Sequence, residues 1–154
     1  MKEIIDSLER VEKVDYLLDT CFVLYMFMRG RVRELEKFCK HERVGMTSFN
    51  LLELDHVVHK MPGPISRHVR DFLKKKILLS ILVGVEPGDR EGERKFVQDY
   101  DVKLLDVVPD PSDAVMIVVA DKIRADVISR DRHHVFTAVA ENYSNRFRVL
   151  NKIE

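Results

Sequence analysis

Cysteine is scarce in this chain of 154 residues: only Cys21 and Cys39 occur. There is no CxxC pair and the six histidines are scattered, which excludes the usual structural zinc frameworks. Both cysteines fall on stretches of helical apolar spacing, the ordinary setting of reduced, buried thiols. Net charge is missing too, because 26 basic residues balance 26 acidic ones. The molecule as a whole therefore does not attract a polyanion, and any phosphate-bearing partner must be held locally. Long apolar runs are absent: the longer stretches, such as residues 77–85 and 114–120, fall far short of the roughly 20 residues that cross a bilayer. Residues 1–14 lack the uninterrupted apolar core of a signal peptide, so a cytoplasmic protein without membrane association is expected. Hairpin dipeptides (Asn-Gly, Asp-Gly) and internal repeats do not occur either.

What is present is a packable composition. Hydrophobic residues make up 45% and charged ones 34%, which favours a folded chain over a disordered one, and the length suits a single domain spanning residues 1–154. Ile4, Ile5, Leu8, Val11 and Val14 recur at helical spacing, predicting an amphipathic helical extension over residues 1–14 whose apolar positions leave room for a homodimer. A short buried strand over residues 16–19 then changes at Thr20 into an apolar helix ending near Gly30. A second helix carries Val32, Leu35, Phe38 and Cys39; a strand over 44–47 and a helix carrying Leu51, Leu54, Val57 and Val58 follow. Pro62 and Pro64 break the chain before another amphipathic helix, making a helical hairpin. Residues 77–85 are ambiguous in period, with a strand favoured in the second half. A charged helix over 90–100 leads to the turn 109–112, with Ser112 as N-cap of a helix over 113–122. A strand over 126–129, a helix through Asn142 and a strand over 147–150 complete the pattern. Strands separated by helices throughout predict an α/β three-layer sandwich, a central parallel sheet flanked by helices.

Four acidic residues stand at element boundaries or on a helix near one: Asp19 after the first strand, Glu53 on the helix after the second, Asp113 opening an apolar helix and Asp131 after the strand at 126–129. In an open parallel sheet the strand ends share the edge where ligands bind. Carboxylates gathered there repel one another unless a hard cation neutralises them, and oxygen-only ligands suit Mg²⁺ or Mn²⁺. Each acid also has a plain structural reading: Asp19 and Asp113 as helix caps, Glu53 as a solvated helical acid. Asp110 rivals Asp113, and Asp121 and Asp126 read as solvent-facing. Of the basic clusters, Arg29, Arg31 and Arg33, like Lys74 to Lys76, read as solvated surface. Arg124, Arg130 and Arg132 with His133 and His134 flank Asp131 and suit a phosphodiester backbone. Met26, Met28 and Met46 read as core.

The series Leu17-Leu18-Asp19-Thr20, Thr47-Ser48-Phe49-Asn50-Leu51-Leu52-Glu53-Leu54, Ser112-Asp113-Ala114 with Ala120, and Ile128-Ser129-Arg130-Asp131 resembles the PIN domain, a family of metal-dependent nucleases. The likeness spans about residues 16–150. It implies an acidic pocket of Asp19, Glu53, Asp113 and Asp131 that serves catalysis and holds one or two Mg²⁺ or Mn²⁺ ions. Ser129 takes the place where the family usually has threonine and keeps a hydroxyl near the pocket; Ser129, Arg130 and Arg132 are the implied substrate contacts. The implied activity is hydrolysis of phosphodiester bonds in single-stranded or structured RNA, with DNA as an alternative and without a Ser-His-Asp arrangement. Many relatives are VapC-type toxins neutralised by an antitoxin; in those the first aspartate lies near the N-terminus, whereas a helix-sized segment precedes Asp19 here. A non-catalytic PIN scaffold binding RNA or protein is the alternative. A phosphoacceptor receiver domain and a haloacid-dehalogenase-like phosphatase are disfavoured, since Asp15 is ill placed for a receiver's acidic pair and Asp19-Thr20-Cys21 lacks a second aspartate.

Overall fold

The computed structural model describes residues 1–130 and 146–153. Five parallel strands, β1 (Tyr16–Leu18), β2 (Val44–Thr47), β3 (Leu79–Ile81), β4 (Asp126–Ile128) and β5 (Val149–Leu150), lie in the order β3-β2-β1-β4-β5. Among the described residues, eight helices join or flank them: α1 (Lys2–Asp6), α2 (Thr20–Met28), α3 (Val32–His41), α4 (Ser48–Val58), α5 (Gly63–Lys74), α6 (Arg90–Tyr100), α7 (Leu104–Val107) and α8 (Pro111–Ile123). None is long and apolar enough to cross a membrane.

Side chains alternate across a strand, and here that alternation sorts the core into two layers. Leu17 and Val127 face one cluster, built with Val97 of α6 and Ala114 to Ala120 of α8. Their neighbours Leu18 and Ile128 face the other, built with Phe22 and Met26 of α2, Leu51 and Leu54 of α4, and Phe72 of α5. The parallel three-layer sandwich expected from the sequence is therefore the observed one. Helix α8 is buried from Ala114 through Asp121, which explains its unbroken apolar run: it has sheet on one side and α6 on the other. Gly45 is required in β2 by close approach, since a Cβ there would lie 2.9 Å from the Leu79 carbonyl oxygen and 3.0 Å from Val14 Cγ1.

Several boundaries differ from expectation. The N-terminal helix stops at Asp6; beyond it the chain runs alongside β3, where Val11 N–H donates to the Ser80 carbonyl at 2.9 Å and Ser80 N–H to that of Glu9 at 2.9 Å. Ile5, Leu8 and Val14 are buried in the chain's own core, which removes the exposed apolar positions on which a homodimer was expected. In residues 77–85 the strand is Leu79–Ile81; Val83 and Val85 are buried outside any strand, and Val83 N–H is satisfied by Ser48 Oγ at 2.8 Å. The helix expected at 113–122 begins at Pro111 and is capped by Asp110, whose Oδ1 accepts from Ser112 N–H at 3.0 Å; Ser112 is not the cap. Met28 is exposed (64%) rather than core. Asp121 is buried, accepting from the Tyr100 hydroxyl and from Arg146 at 2.8 Å, and Asp126 pairs with Arg148 at 2.8 Å. The helix expected through Asn142 falls outside the described residues.

Candidate active site at the strand ends

Strand order reverses between β1 and β4, whose residues Leu18 and Ile128 pair directly. In such sheets ligands sit in the crevice beyond the carboxyl ends at this point, and here the next residues are Asp19 and Ser129. Asp19 stands at the N-cap position of α2, but its side chain makes no capping hydrogen bond. Its Oδ2 accepts instead from Ser129 Oγ at 2.7 Å and from Cys21 Sγ at 3.2 Å. The capping reading thus fails for Asp19 through its hydrogen bonds, and for Asp113 because Asp110 occupies that position.

Asn50 joins the first strand to α4. Thr47 caps α4, its Oγ1 accepting from Asn50 N–H at 2.9 Å and donating to Asn50 Oδ1 at 2.6 Å. With its carbonyl oxygen so held, the Asn50 amide points Nδ2 at Glu53 Oε1 (3.1 Å), Thr20 Oγ1 (3.3 Å) and Asp19 Oδ1 (3.5 Å). Thr20 Oγ1 in turn donates to the Asn50 carbonyl at 3.0 Å. A buried amide thereby bridges two of the expected acids. Glu53 is no solvated surface acid: burial first, then the charges of Asp19, Asp113, Glu93 and Asp110, push its pKa up to about 7. Asp113 lies in the first turn of α8, where the helix dipole favours an anion.

The structure thus brings Asp19 and Glu53 onto one Asn50 amide, with Asp113 near enough for its charge to act on Glu53, Ser129 holding Asp19 and Arg130 following Ser129. Asp131 and Arg132, with His133 and His134, lie outside the described residues. Among the described residues no group of three or more His, Cys, Asp or Glu side chains is close enough to hold a metal ion as it stands. The donor set nevertheless fits a hard cation: the groups are carboxylates, and a cation among them would offset the burial and repulsion that raise the Glu53 pKa. The conflict between these two observations is one of side-chain spacing, with the Asn50 amide standing between Asp19 and Glu53.

Three further groups were not singled out by the sequence. Asn50 sits inside the matching motif but reads there as an ordinary helical residue. Glu93 is fully buried (0%), accepts from Ser112 Oγ and lies 3.7 Å from Arg90 Nη1, while its Oε2 has no hydrogen-bond partner among the described residues. Nothing in the charged stretch of α6 distinguishes it from its solvated neighbours. Cys21 is exposed rather than buried; local burial of its sulfur and the Asp19 charge push the thiol up to about 11. It is protonated at neutral pH, a weak donor rather than a nucleophile. Cys39 is buried and free, as expected.

Sequence comparison agrees with this geometry. The family model of the PIN domain matches residues 16–142, and the chain belongs to that family, whose members are generally nucleases that usually employ divalent metals. In fold it is similar to one chain in the crystal structure of VapBC2 from Rickettsia felis bound to a DNA fragment from their promoter. That likeness has a TM-score of 0.57 and 15% identity, and covers 86% of this chain and 96% of that one. No curated protein matches in sequence.

Proposed function

We propose that this chain is a divalent-metal-dependent nuclease that hydrolyses phosphodiester bonds of RNA, with Asp19, Glu53, Asp113 and Asp131 as the acidic centre. The observation that carries the reading is the elevated pKa of Glu53, produced by burial and by facing acids at the point where strand order reverses. Perturbed acids concentrated in a crevice mark functional sites. When bound, Mg²⁺ or Mn²⁺ supplies Lewis-acid activation of water and neutralises phosphate charge.

The chain's own residues do the arranging. Ser129 and Cys21 fix Asp19 Oδ2, leaving Oδ1 toward Asn50. Asn50, locked by Thr47, holds the Glu53 carboxylate through its Nδ2. Near neutral pH Glu53 can hold or release a proton, the condition a general acid or base needs. Arg130 leaves the same strand end as Ser129 and lays its guanidinium over Tyr25 of α2, a positive charge available to an approaching phosphodiester. A second reading, a toxin held by a protein antitoxin, draws on the fold likeness to the VapBC2 chain.

The test is cleavage of labelled single-stranded RNA with Mg²⁺ or Mn²⁺. Asp19→Asn and Asp113→Asn are expected to lower the rate at least about a hundredfold while circular dichroism stays native. Cleavage that survives in both variants, or in excess EDTA, rules the mechanism out. Binding without cleavage at every metal concentration supports a non-catalytic scaffold instead.

A further inference from the structure

The arginines after α2 are not scattered surface charge. Cys21 and Tyr25 of α2 and Arg29 at its C-cap lie four residues apart on one side of the helix, each step rising about 6 Å. Arg130 packs its guanidinium over the Tyr25 ring at 4.2 Å from the centroid, and Arg29 approaches the same ring at 5.7 Å. Two cations from distant parts of the chain thus converge on one half-buried tyrosine. Among the described residues neither Arg29 nor Arg130 takes part in an ion pair; Arg130 Nη1 donates to the Asn151 carbonyl at 3.3 Å, whereas Arg31 is paired with Glu34 at 2.6 Å. The cluster adjoins the crevice directly. Arg130 N–H donates to Cys21 Sγ at 3.4 Å, and the thiol contacts Asp19 at 3.2 Å.

We infer that Tyr25, Arg29 and Arg130 form a strand-positioning track that holds the backbone of single-stranded RNA on one side of the bond to be cleaved, an inference that rests on the nuclease reading above. In a chain of zero net charge with an acidic crevice, substrate needs a local cationic guide. An arginine held flat against an aromatic ring keeps the N–H edge of its guanidinium free for phosphate oxygens and loses little freedom on binding them. Four-residue steps along an exposed helix face follow an extended backbone without reading its bases. The track therefore selects a flexible single strand over a duplex and is tolerant of sequence.

The test uses the full chain with Arg29→Gln and Tyr25→Leu, Arg29 being exposed and its replacement harmless to the core. Binding of a fluorescein-labelled single-stranded RNA 12-mer is followed by anisotropy in EDTA across a salt series, and cleavage kinetics are measured with Mn²⁺. Each variant is expected to weaken RNA binding several-fold and to raise KM more than it lowers kcat. Arg29→Gln is expected to flatten the slope of log K against log salt by about 0.7, the loss of one phosphate contact. A wild-type protein that cleaves, with variants unchanged in affinity, slope and KM, overturns the track and leaves the nuclease intact. A wild-type protein that never cleaves but whose RNA affinity still depends on Arg29 and Tyr25 overturns the nuclease reading and keeps the track. Unchanged RNA affinity together with loss of a co-purifying protein overturns it in favour of a protein-docking surface.

Discussion

Replacing Glu53 by glutamine should stabilise the metal-free protein, and by an amount that depends on pH. The folded-state pKa of Glu53 rises from the ordinary 4.5 to about 7, so folding takes up a proton. The penalty is absent below about pH 4.5, grows as pH rises between the two values, and is complete above about pH 7. At about 1.4 kcal/mol per pH unit the full penalty is about 3.5 kcal/mol; partial solvent access to the carboxyl lowers this to about 1–2 kcal/mol. Glutamine keeps an oxygen for the Asn50 Nδ2 hydrogen bond and carries no charge. The variant is therefore expected to melt about 2–8 °C above wild type at pH 8 and within a degree or so of it at pH 4.5, by calorimetry in EDTA. Added Mn²⁺ should narrow the gap at pH 8 by stabilising the wild type preferentially. A variant that melts lower than wild type at pH 8, or that gains equally at both pH values, refutes the reasoning that burial and the facing carboxylates raise this pKa.

Three other substitutions probe the frame around the site. Gly45→Ala must push its methyl into the Leu79 carbonyl and Val14, so chemical denaturation should register a loss of about 1–3 kcal/mol. Asp110→Ala removes the cap of α8 and should cost about 1 kcal/mol, whereas Asp110→Asn, which keeps the acceptor oxygen, should cost only a few tenths. Glu93→Gln removes one of the charges that raise the Glu53 pKa, so carboxyl-carbon NMR titration should find Glu53 ionising at lower pH than in wild type; an unchanged midpoint would place Glu93 outside the electrostatics of the crevice.

The parallel sheet was legible because short apolar runs ending in Asp19 or Ser129, each followed by a different period, leave few other arrangements. Asp19 and Asp113 were legible for the same reason, since a carboxylate at a strand or helix end is conspicuous. The parts that escaped depend on contacts between residues distant in sequence. Asp121 looks solvated until Tyr100 and Arg146, 21 and 25 residues away, converge on it. Glu93 is buried because α6 packs on the N-terminal turns of α8 through Ser112, a contact no helical period announces. Ser112 followed by an acid mimics a cap, and only the backbone reveals that Asp110 has taken the position. The apolar residues 82–85 read as a strand, yet beyond Ile81 the chain leaves the ladder, with Val83 turned to Ser48. Glu53 reverses its standing: it is weak as a sequence signal, and in the structure burial and neighbouring acids push its pKa up to about 7.

The central claim, that these acids share one cation-binding crevice, is tested most directly by isothermal calorimetry with Mn²⁺ at pH 6.5 in buffers of different ionisation heat. Glu53, with a pKa of about 7, is mostly protonated there, so wild-type protein should bind the ion with release of most of one proton. Asp19→Asn and Asp113→Asn should lose the binding, and Glu53→Gln should lose the proton release. Binding of Mn²⁺ that is unchanged in the aspartate variants, or that releases no proton, would contradict the account.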